Sequence, residues 1–241
     1  MRDKTNRTRL MICLFFKITM TALTQIKSSL HAAGNPLRAT QMENYLRNQF
    51  AFYGVMSIPR KEILGTLKKD WLDVLSEEDK RSLVRVLWEE EQRECQLLAL
   101  EWMMKWNVKA LVIEDIHFFE WLITHKSWWD TVDGIAPNLV GKFAKKFPEQ
   151  MKQTLRRWEH HESFWIRRSC LIFQLRYRNE TDLSQLQYFI GKFKPEKEFF
   201  IQKAIGWSLR EVSKWNPTWV SKVVEEEQLT GLAKREAIKY V

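Results

Sequence analysis

Apolar residues recur at three- and four-residue spacing along almost the whole chain from residue 20 onward. This spacing places apolar side chains on one face of an α-helix. The predicted helices span 21–32, 38–50, 59–70, 78–90, 93–106, 112–124, 127–145, 148–158, 162–178, 182–192, 197–215, 217–226 and 231–240. The alternation typical of a β-strand does not persist for six residues anywhere, so the pattern predicts an all-α protein.

Three of the predicted helical segments are similar when they are aligned at an offset of 35 residues: 127–143, 162–178 and 197–213. Small residues coincide at Gly134, Ser169 and Ala204, and aromatic residues at Trp129, Phe164 and Phe199, whereas Pro137 interrupts the pattern. A period of this length is typical of α-solenoids. Because the tetratricopeptide consensus is not visible, the pattern favours a HEAT-like array of stacked helix pairs with one concave face.

Charged residues occupy the position before each aligned small residue. They are Asp133, Arg168 and Lys203 in three consecutive segments. Equivalent positions of a solenoid lie side by side, and adjacent helices are ~8–10 Å apart, so we expect one wall that spans on the order of 20 Å. Trp129 and Trp207 are one helical turn from this stripe and are expected on the same wall.

The stretch from Trp128 to Asp133 contains both packing and candidate functional residues. Asp130 lies in the first turn of its predicted helix, where a carboxylate complements the helix dipole. Trp128 points away from the Trp129 face and is interpreted as a packing residue. Asp133 has two compatible interpretations, which are a salt bridge to Arg168 and a working carboxylate that this arginine orients.

The net charge of +9 indicates a polyanionic partner, with nucleic acid first and a membrane surface second. Basic residues border the expected wall at Lys142, Lys145, Lys146, Arg156, Arg157, Arg167, Arg176, Arg178, Lys192, Lys194 and Lys197. Such a surface suits a phosphate backbone, with aromatic rings facing sugars or bases.

Motifs for metals and nucleotide cofactors are missing from the sequence. Cys13, Cys95 and Cys170 are far apart, which argues against disulfides and metal clusters and fits a reducing, cytoplasmic compartment. The His-His-Glu stretch at 160–162 is interpreted as a solvated helix start. We therefore expect no metal and no cofactor.

Residues 1–19 differ from the rest of the chain. A basic polar start precedes the apolar run LMICLFFKI, which is too short to span a bilayer. A signal peptide is one interpretation. Because Lys17 directly follows the apolar core LMICLFF within this run and no clear cleavage site follows, we favour a disordered or non-native extension, with one domain over 20–241 and no membrane partner.

An acid and two aromatic residues on a basic wall suit the hydrolysis of a cationic base from a sugar. Indole rings attract cations by roughly 0.5–2 kcal/mol. A carboxylate beside the sugar stabilises the oxocarbenium ion and holds the attacking water. A cationic purine is already a good leaving group, so this reaction needs no strong general acid.

Several long motifs resemble the AlkD-type DNA alkylation repair glycosylases. They are MENYLRNQFAFYGV, KSWWDTVD, WIRRSCLIFQLRY, KEFFIQKAIGWSLREVSKWNP and KREAIKY, and the similarity covers residues 20–241. The resemblance implies a HEAT-like fold. It also implies the removal of cationic N3- and N7-alkylated purines, such as 3-methyladenine and 7-methylguanine, from duplex DNA without metal or redox cofactor. Separately from the resemblance, we expect a monomer.

The resemblance also implies roles for individual residues. Asp133 stabilises the sugar cation and positions water, and Trp129 and Trp207 flank the deoxyribose. Arg168 binds a backbone phosphate near the lesion, and Tyr45 lies near the DNA. The full set of predicted DNA-binding residues is Arg168, Lys203, Tyr45 and Arg210.

Two other functions remain open on the same scaffold. A non-catalytic nucleic-acid binder would keep the basic surface and lose the acid or the tryptophans, all of which are present here. A protein-interaction solenoid would show no salt-dependent affinity for DNA.

Overall fold

The computed structural model of the protein describes residues 20–240. Those residues form helices joined by turns, with no β-strand among them and one isolated bridge between Ala51 and Gln92. The prediction of an all-α protein is therefore confirmed, whereas the predicted extension over 1–19 lies outside the described residues. The chain divides into two compact units, Met1–Trp106 and Asn107–Val241. The single domain over 20–241 stays a prediction.

The first unit contains five α-helices among its described residues. They are α1 (20–32), α2 (Pro36–Tyr45), α3 (Ser57–Asp70), α4 (Glu77–Glu89) and α5 (Arg93–Met103). Polar caps fix two of the helix starts, because Asn35 accepts a hydrogen bond from the Arg38 amide and Ser76 accepts one from the Asp79 amide. Pro36 follows its cap directly, in the first helical position that tolerates proline.

The second unit holds the remaining α-helices. They are α6 (Asp115–Thr124), α7 (Trp129–Ile135), α8 (Gly141–Lys146), α9 (Pro148–Trp158), α10 (Phe164–Ile172), α11 (Leu183–Phe193), α12 (Phe199–Ser213), α13 (Pro217–Glu226) and α14 (Gly231–Ala237). Helix α10 packs against α12, and α12 packs against α14. Hydrogen bonds join residues 35 or 36 apart, from Arg168 to Asp133 and from Tyr177 to Gly141, which agrees with the predicted 35-residue repeat. The solenoid shape stays a prediction.

The predicted helix over 127–145 is interrupted. A π-helical segment, Ala136–Val140, separates α7 from α8 and contains the buried Pro137. Proline has no amide hydrogen to donate to the carbonyl oxygen four residues earlier. The backbone hydrogen bonds at this point therefore follow the five-residue spacing of a π-helix. The predicted helix over 162–178 is also too long, because α10 ends at Ile172 and a left-handed residue, Arg178, follows six positions later.

Helices α12 and α14 approach each other closely at Gly206, directly before Trp207. A Cβ atom at Gly206 would lie 2.4 Å from the Glu236 Cβ and 2.8 Å from the Ala233 carbonyl oxygen. We therefore expect Gly206→Ala to lower the free energy of unfolding by about 1–3 kcal/mol, measured by urea denaturation.

The matched control for this prediction is Gly65→Ala in α3. A Cβ atom there would meet nothing within 4 Å. Alanine favours the helix, so this substitution is expected to raise the free energy of unfolding by about 0.5–1 kcal/mol. Equal effects of the two substitutions would contradict the close approach at Gly206.

Candidate active site

Asp133 of α7 and Arg168 of α10 form a bidentate ion pair. Arg168 Nε donates to Asp133 Oδ1 and Arg168 Nη2 donates to Oδ2, both at 2.8 Å. Arg168 Nη1 donates to the Phe200 carbonyl oxygen at the start of α12. Two parallel hydrogen bonds fix the orientation of a carboxylate as well as its position. The predicted salt bridge between Asp133 and Arg168 is therefore confirmed.

The two partners of this ion pair differ in exposure. The Arg168 side chain is 2% exposed, whereas the Asp133 side chain keeps 20% exposure. Burial raises the pKa of Asp133 above its ordinary value, the charge and hydrogen bonds of Arg168 partly offset that increase, and Asp130 adds to it. A ligand can therefore reach the carboxylate, while the paired cation stays behind it.

Asp133 lines a cavity of about 380 Å³. The other lining residues are Pro137, Leu175, Arg176, Arg178, Trp207 and Glu211. Trp207 is half-buried, and the centre of its ring lies 6.0 Å from the guanidinium carbon of Arg168. The cavity therefore combines an oriented carboxylate with an indole ring and two exposed arginines.

Trp128, Trp129 and Asp130, which lie at the start of α7, have different environments. Trp128 packs against Trp165 and Phe200, with ring centres 5.9 Å and 5.4 Å apart, so its interpretation as a packing residue is confirmed. Asp130 lies in the first helical turn, also as expected. Trp129 is half-buried at the first position of α7, one turn from Asp133, and does not line the described cavity.

Two further candidates, Lys203 and Arg210, surround a different carboxylate. Lys203 Nζ lies 3.8 Å from Glu236 Oε1, and Arg210 donates to Glu236 Oε2. Lys239 Nζ lies 2.9 Å from Oε1, and its hydrogen bond is the main reason that the pKa of Glu236 is lowered. Lys203 therefore shares the predicted register of Asp133 and Arg168 but pairs with α14.

Tyr45 is the last residue of α2 in the first unit, and it is 72% exposed. Its ring is thus accessible from solvent, which is the condition that a contact with DNA requires.

Eleven basic residues border the predicted wall, and they differ in their partners. Five of them form ion pairs with acidic residues, namely Lys145, Arg157, Arg167, Lys192 and Lys194. Arg156 and Lys197 are exposed and form no ion pair with any residue that the structure describes, and the same holds for Arg176 and Arg178. Of these four residues, Arg176 and Arg178 line the Asp133 cavity.

Within residues 20–240, no group of three or more His, Cys, Asp or Glu side chains is arranged to hold a metal ion. The His-His-Glu stretch at 160–162 directly precedes α10, where His161 Nδ1 accepts a hydrogen bond from the Ser163 amide at 3.0 Å. Over the same described range, no helix is long and apolar enough to cross a membrane.

Comparisons with known proteins agree with one another. The sequence profile of a family described as "DNA alkylation repair enzyme" matches residues 26–241. A solved structure described as "Predicted DNA alkylation repair enzyme from Enterococcus faecalis" is similar to this chain, with 32% sequence identity and a TM-score of 0.79. The match covers 86% of this chain and 96% of that chain. No curated protein matches the sequence.

Proposed function

The chain belongs to the DNA alkylation repair enzyme family, and on this premise we propose that it is a DNA N-glycosylase. Its substrates are cationic N3- and N7-alkylated purines in duplex DNA. The observation that carries the proposal is the Asp133 carboxylate, which the buried Arg168 fixes at a cavity that Trp207 also lines.

Asp133 supplies the charge that the reaction needs. When the C1′–N bond breaks, its electron pair leaves with the alkylated purine, which becomes neutral, and positive charge develops on C1′ and the ring oxygen. A carboxylate that is already oriented stabilises this charge without reorganisation. The same carboxylate accepts a hydrogen bond from the water whose oxygen then bonds to C1′, and it takes up the proton that this water loses.

The two tryptophans supply aromatic faces for a cationic ligand. Trp207 lies in the cavity beside the carboxylate, and a ring in this position attracts a cation by roughly 0.5–2 kcal/mol. Trp129 lies one turn from Asp133 on α7, and the family resemblance supports a place for it against the other side of the deoxyribose.

Arg168 acts first as a positioning residue for Asp133. Three of its five N–H groups are directed at Asp133 and Phe200, and its side chain is 2% exposed. The phosphate contact of Arg168 that the resemblance implies therefore stays a prediction. Lys203, Arg210 and Lys239 surround the single carboxylate of Glu236. The net positive charge of this cluster suits a contact with the DNA backbone. Tyr45 is proposed as a contact from the first unit.

Excision is expected to decrease on the acidic side as the pH falls through the pKa of Asp133, because a protonated carboxyl no longer stabilises the sugar cation. Burial raises this pKa, so the decrease lies at higher pH than for an exposed aspartate. The measurement is the single-turnover rate of base release across the acidic range.

A measurement of folding over the same pH range is the control for this pH profile. A carboxyl whose pKa is raised by folding favours the folded state when it is protonated, so this group does not cause unfolding as the pH falls. Circular dichroism over the same range is therefore expected to show a folded protein where the rate declines. A rate that stays constant down to the range of exposed aspartates would contradict the raised pKa of Asp133.

The test of the proposed activity is a base-release assay. Purified protein is incubated with a duplex oligonucleotide that carries one 7-methylguanine, and the free base is separated and quantified. Binding without release would favour a non-catalytic nucleic-acid binder. Absence of any salt-dependent DNA affinity would favour a protein-interaction array.

A further inference from the structure

Arg178 adopts an unusual backbone conformation for an arginine. Its φ of 54° lies in the left-handed region, which side chains other than glycine and asparagine rarely adopt. The residue begins a 3₁₀ turn, Arg178–Glu180, between α10 and α11. Such a conformation persists only where the surrounding structure determines it strongly.

The residues around Arg178 are held firmly. Before it, the Tyr177 hydroxyl donates to the Gly141 carbonyl oxygen at 2.6 Å. After it, Glu180 pairs with Lys145, and the Asp182 amide donates to Gln174 Oε1 at 2.8 Å. The turn therefore keeps the backbone of the strained residue in place, and the Arg178 side chain is exposed to solvent.

Arg178 also lies at the boundary between two cavities. One is the Asp133 cavity, and the other has a volume of about 620 Å³. Leu175, Arg178 and Glu211 line both of them. Glu211 does not neutralise Arg178, because its two carboxylate oxygens accept hydrogen bonds from Lys214 at 2.8 Å and 2.7 Å. Arg178, which has no acidic partner among the described residues, therefore contributes a positive charge to both cavities.

We propose that Arg178 binds the DNA phosphate that joins the nucleotide at Asp133 to its neighbour in the same strand. This inference rests on the proposed function, which places a deoxyribose against Asp133. The phosphate next to that sugar then lies at the edge of the Asp133 cavity, where the guanidinium is. A guanidinium matches phosphate with two parallel hydrogen bonds. Arg178 is therefore a positioning residue that sets the register of the strand without touching the reacting atoms.

The test is Arg178→Asn, which removes the charge and suits the left-handed backbone. We expect the melting temperature to be maintained or to rise by about 2 °C. Affinity for an unmodified duplex is expected to fall roughly 5- to 10-fold at fixed salt. The slope of log affinity against log salt concentration is expected to become shallower by about 1. For base release, the half-saturating protein concentration rises more than the maximal rate falls.

Matched variants separate charge from backbone. Gln228→Asn changes another exposed left-handed residue, with φ 51°, and is expected to leave DNA affinity unaltered. Lys222→Gln removes a charge that is 68% exposed on α13 and tests for a general charge effect. Arg178→Lys keeps the charge and is expected to keep the salt slope with weaker affinity.

Two results would overturn the assignment of Arg178. The first is wild-type affinity and salt slope in Arg178→Asn. The second is a lower melting temperature together with the lower affinity, which indicates a structural role. Failure of the proposed activity is distinguishable, because it appears as a wild-type protein that releases no 7-methylguanine whatever the salt slopes are.

Discussion

Asp133→Asn is expected to slow the release of 7-methylguanine from duplex DNA strongly while the affinity for the duplex is kept. The free energy of unfolding is expected to fall, because the buried Arg168 loses its paired charge, but the purified variant is expected to remain folded. Asparagine has the shape of aspartate and can still accept a hydrogen bond from Arg168, but it carries no charge against the developing sugar cation. Loss of one preorganised electrostatic group of this kind typically costs ~10²–10³ in rate. The rate is measured in single turnover, with protein in excess over the lesion.

Asp130→Asn is the matched control for this substitution. Asp130 lies three residues away on the same helix, in its first turn, and outside the cavity. It influences Asp133 only by raising its pKa slightly, so most of the activity is expected to remain. Similar losses in the two variants would indicate a general effect of negative charge on α7 and would contradict a specific role of Asp133.

Arg168→Met is expected to lower the free energy of unfolding by about 3–5 kcal/mol. The substitution leaves a largely buried carboxylate without its cation and the Phe200 carbonyl oxygen without its donor. Removing one partner of a buried pair costs this much because the remaining charge is uncompensated. Urea denaturation of the purified variant measures the loss.

The double variant Arg168→Met with Asp133→Asn tests the cause of that loss. With no uncompensated charge left, part of the stability is expected to return, so the two substitutions are not additive. Arg168→Lys is expected to fold but to release base more slowly, because an ammonium cannot form the two parallel bonds that orient the carboxylate. Strict additivity in the double variant would contradict the ion pair as the source of the stability.

The sequence predicted the helices and the central contact of the site because both depend on spacing. Apolar periodicity identifies a helical face, and an offset of one repeat brings Asp133 next to Arg168. The spacing could not show that Arg168 is buried. It also placed Lys203 in the same register, and Lys203 Nζ lies 3.8 Å from Glu236 Oε1 of α14.

The special positions of Arg176 and Arg178 were not predicted from the sequence. The sequence does not distinguish them from the other nine basic residues that border the predicted wall. Whether each of these cations is neutralised depends on which acidic side chains the fold brings next to it. Glu180, Glu196 and Glu227 form ion pairs with Lys145, Arg167 and Lys194, respectively. None of these three carboxylates pairs with Arg176 or Arg178. The left-handed turn at Arg178 carries no glycine or asparagine signal at that residue, so its strain is visible only in the structure.

The measurement that tests the proposed function most directly is the release of free 7-methylguanine from a duplex oligonucleotide, with wild type and Asp133→Asn compared in single turnover. Equal binding of both proteins to the duplex is verified first. We expect the wild type to release the base and Asp133→Asn to release it about 10²–10³ times more slowly. Equal release by the two proteins, or binding by the wild type without any release, would contradict the assignment of Asp133 as the carboxylate of a DNA glycosylase.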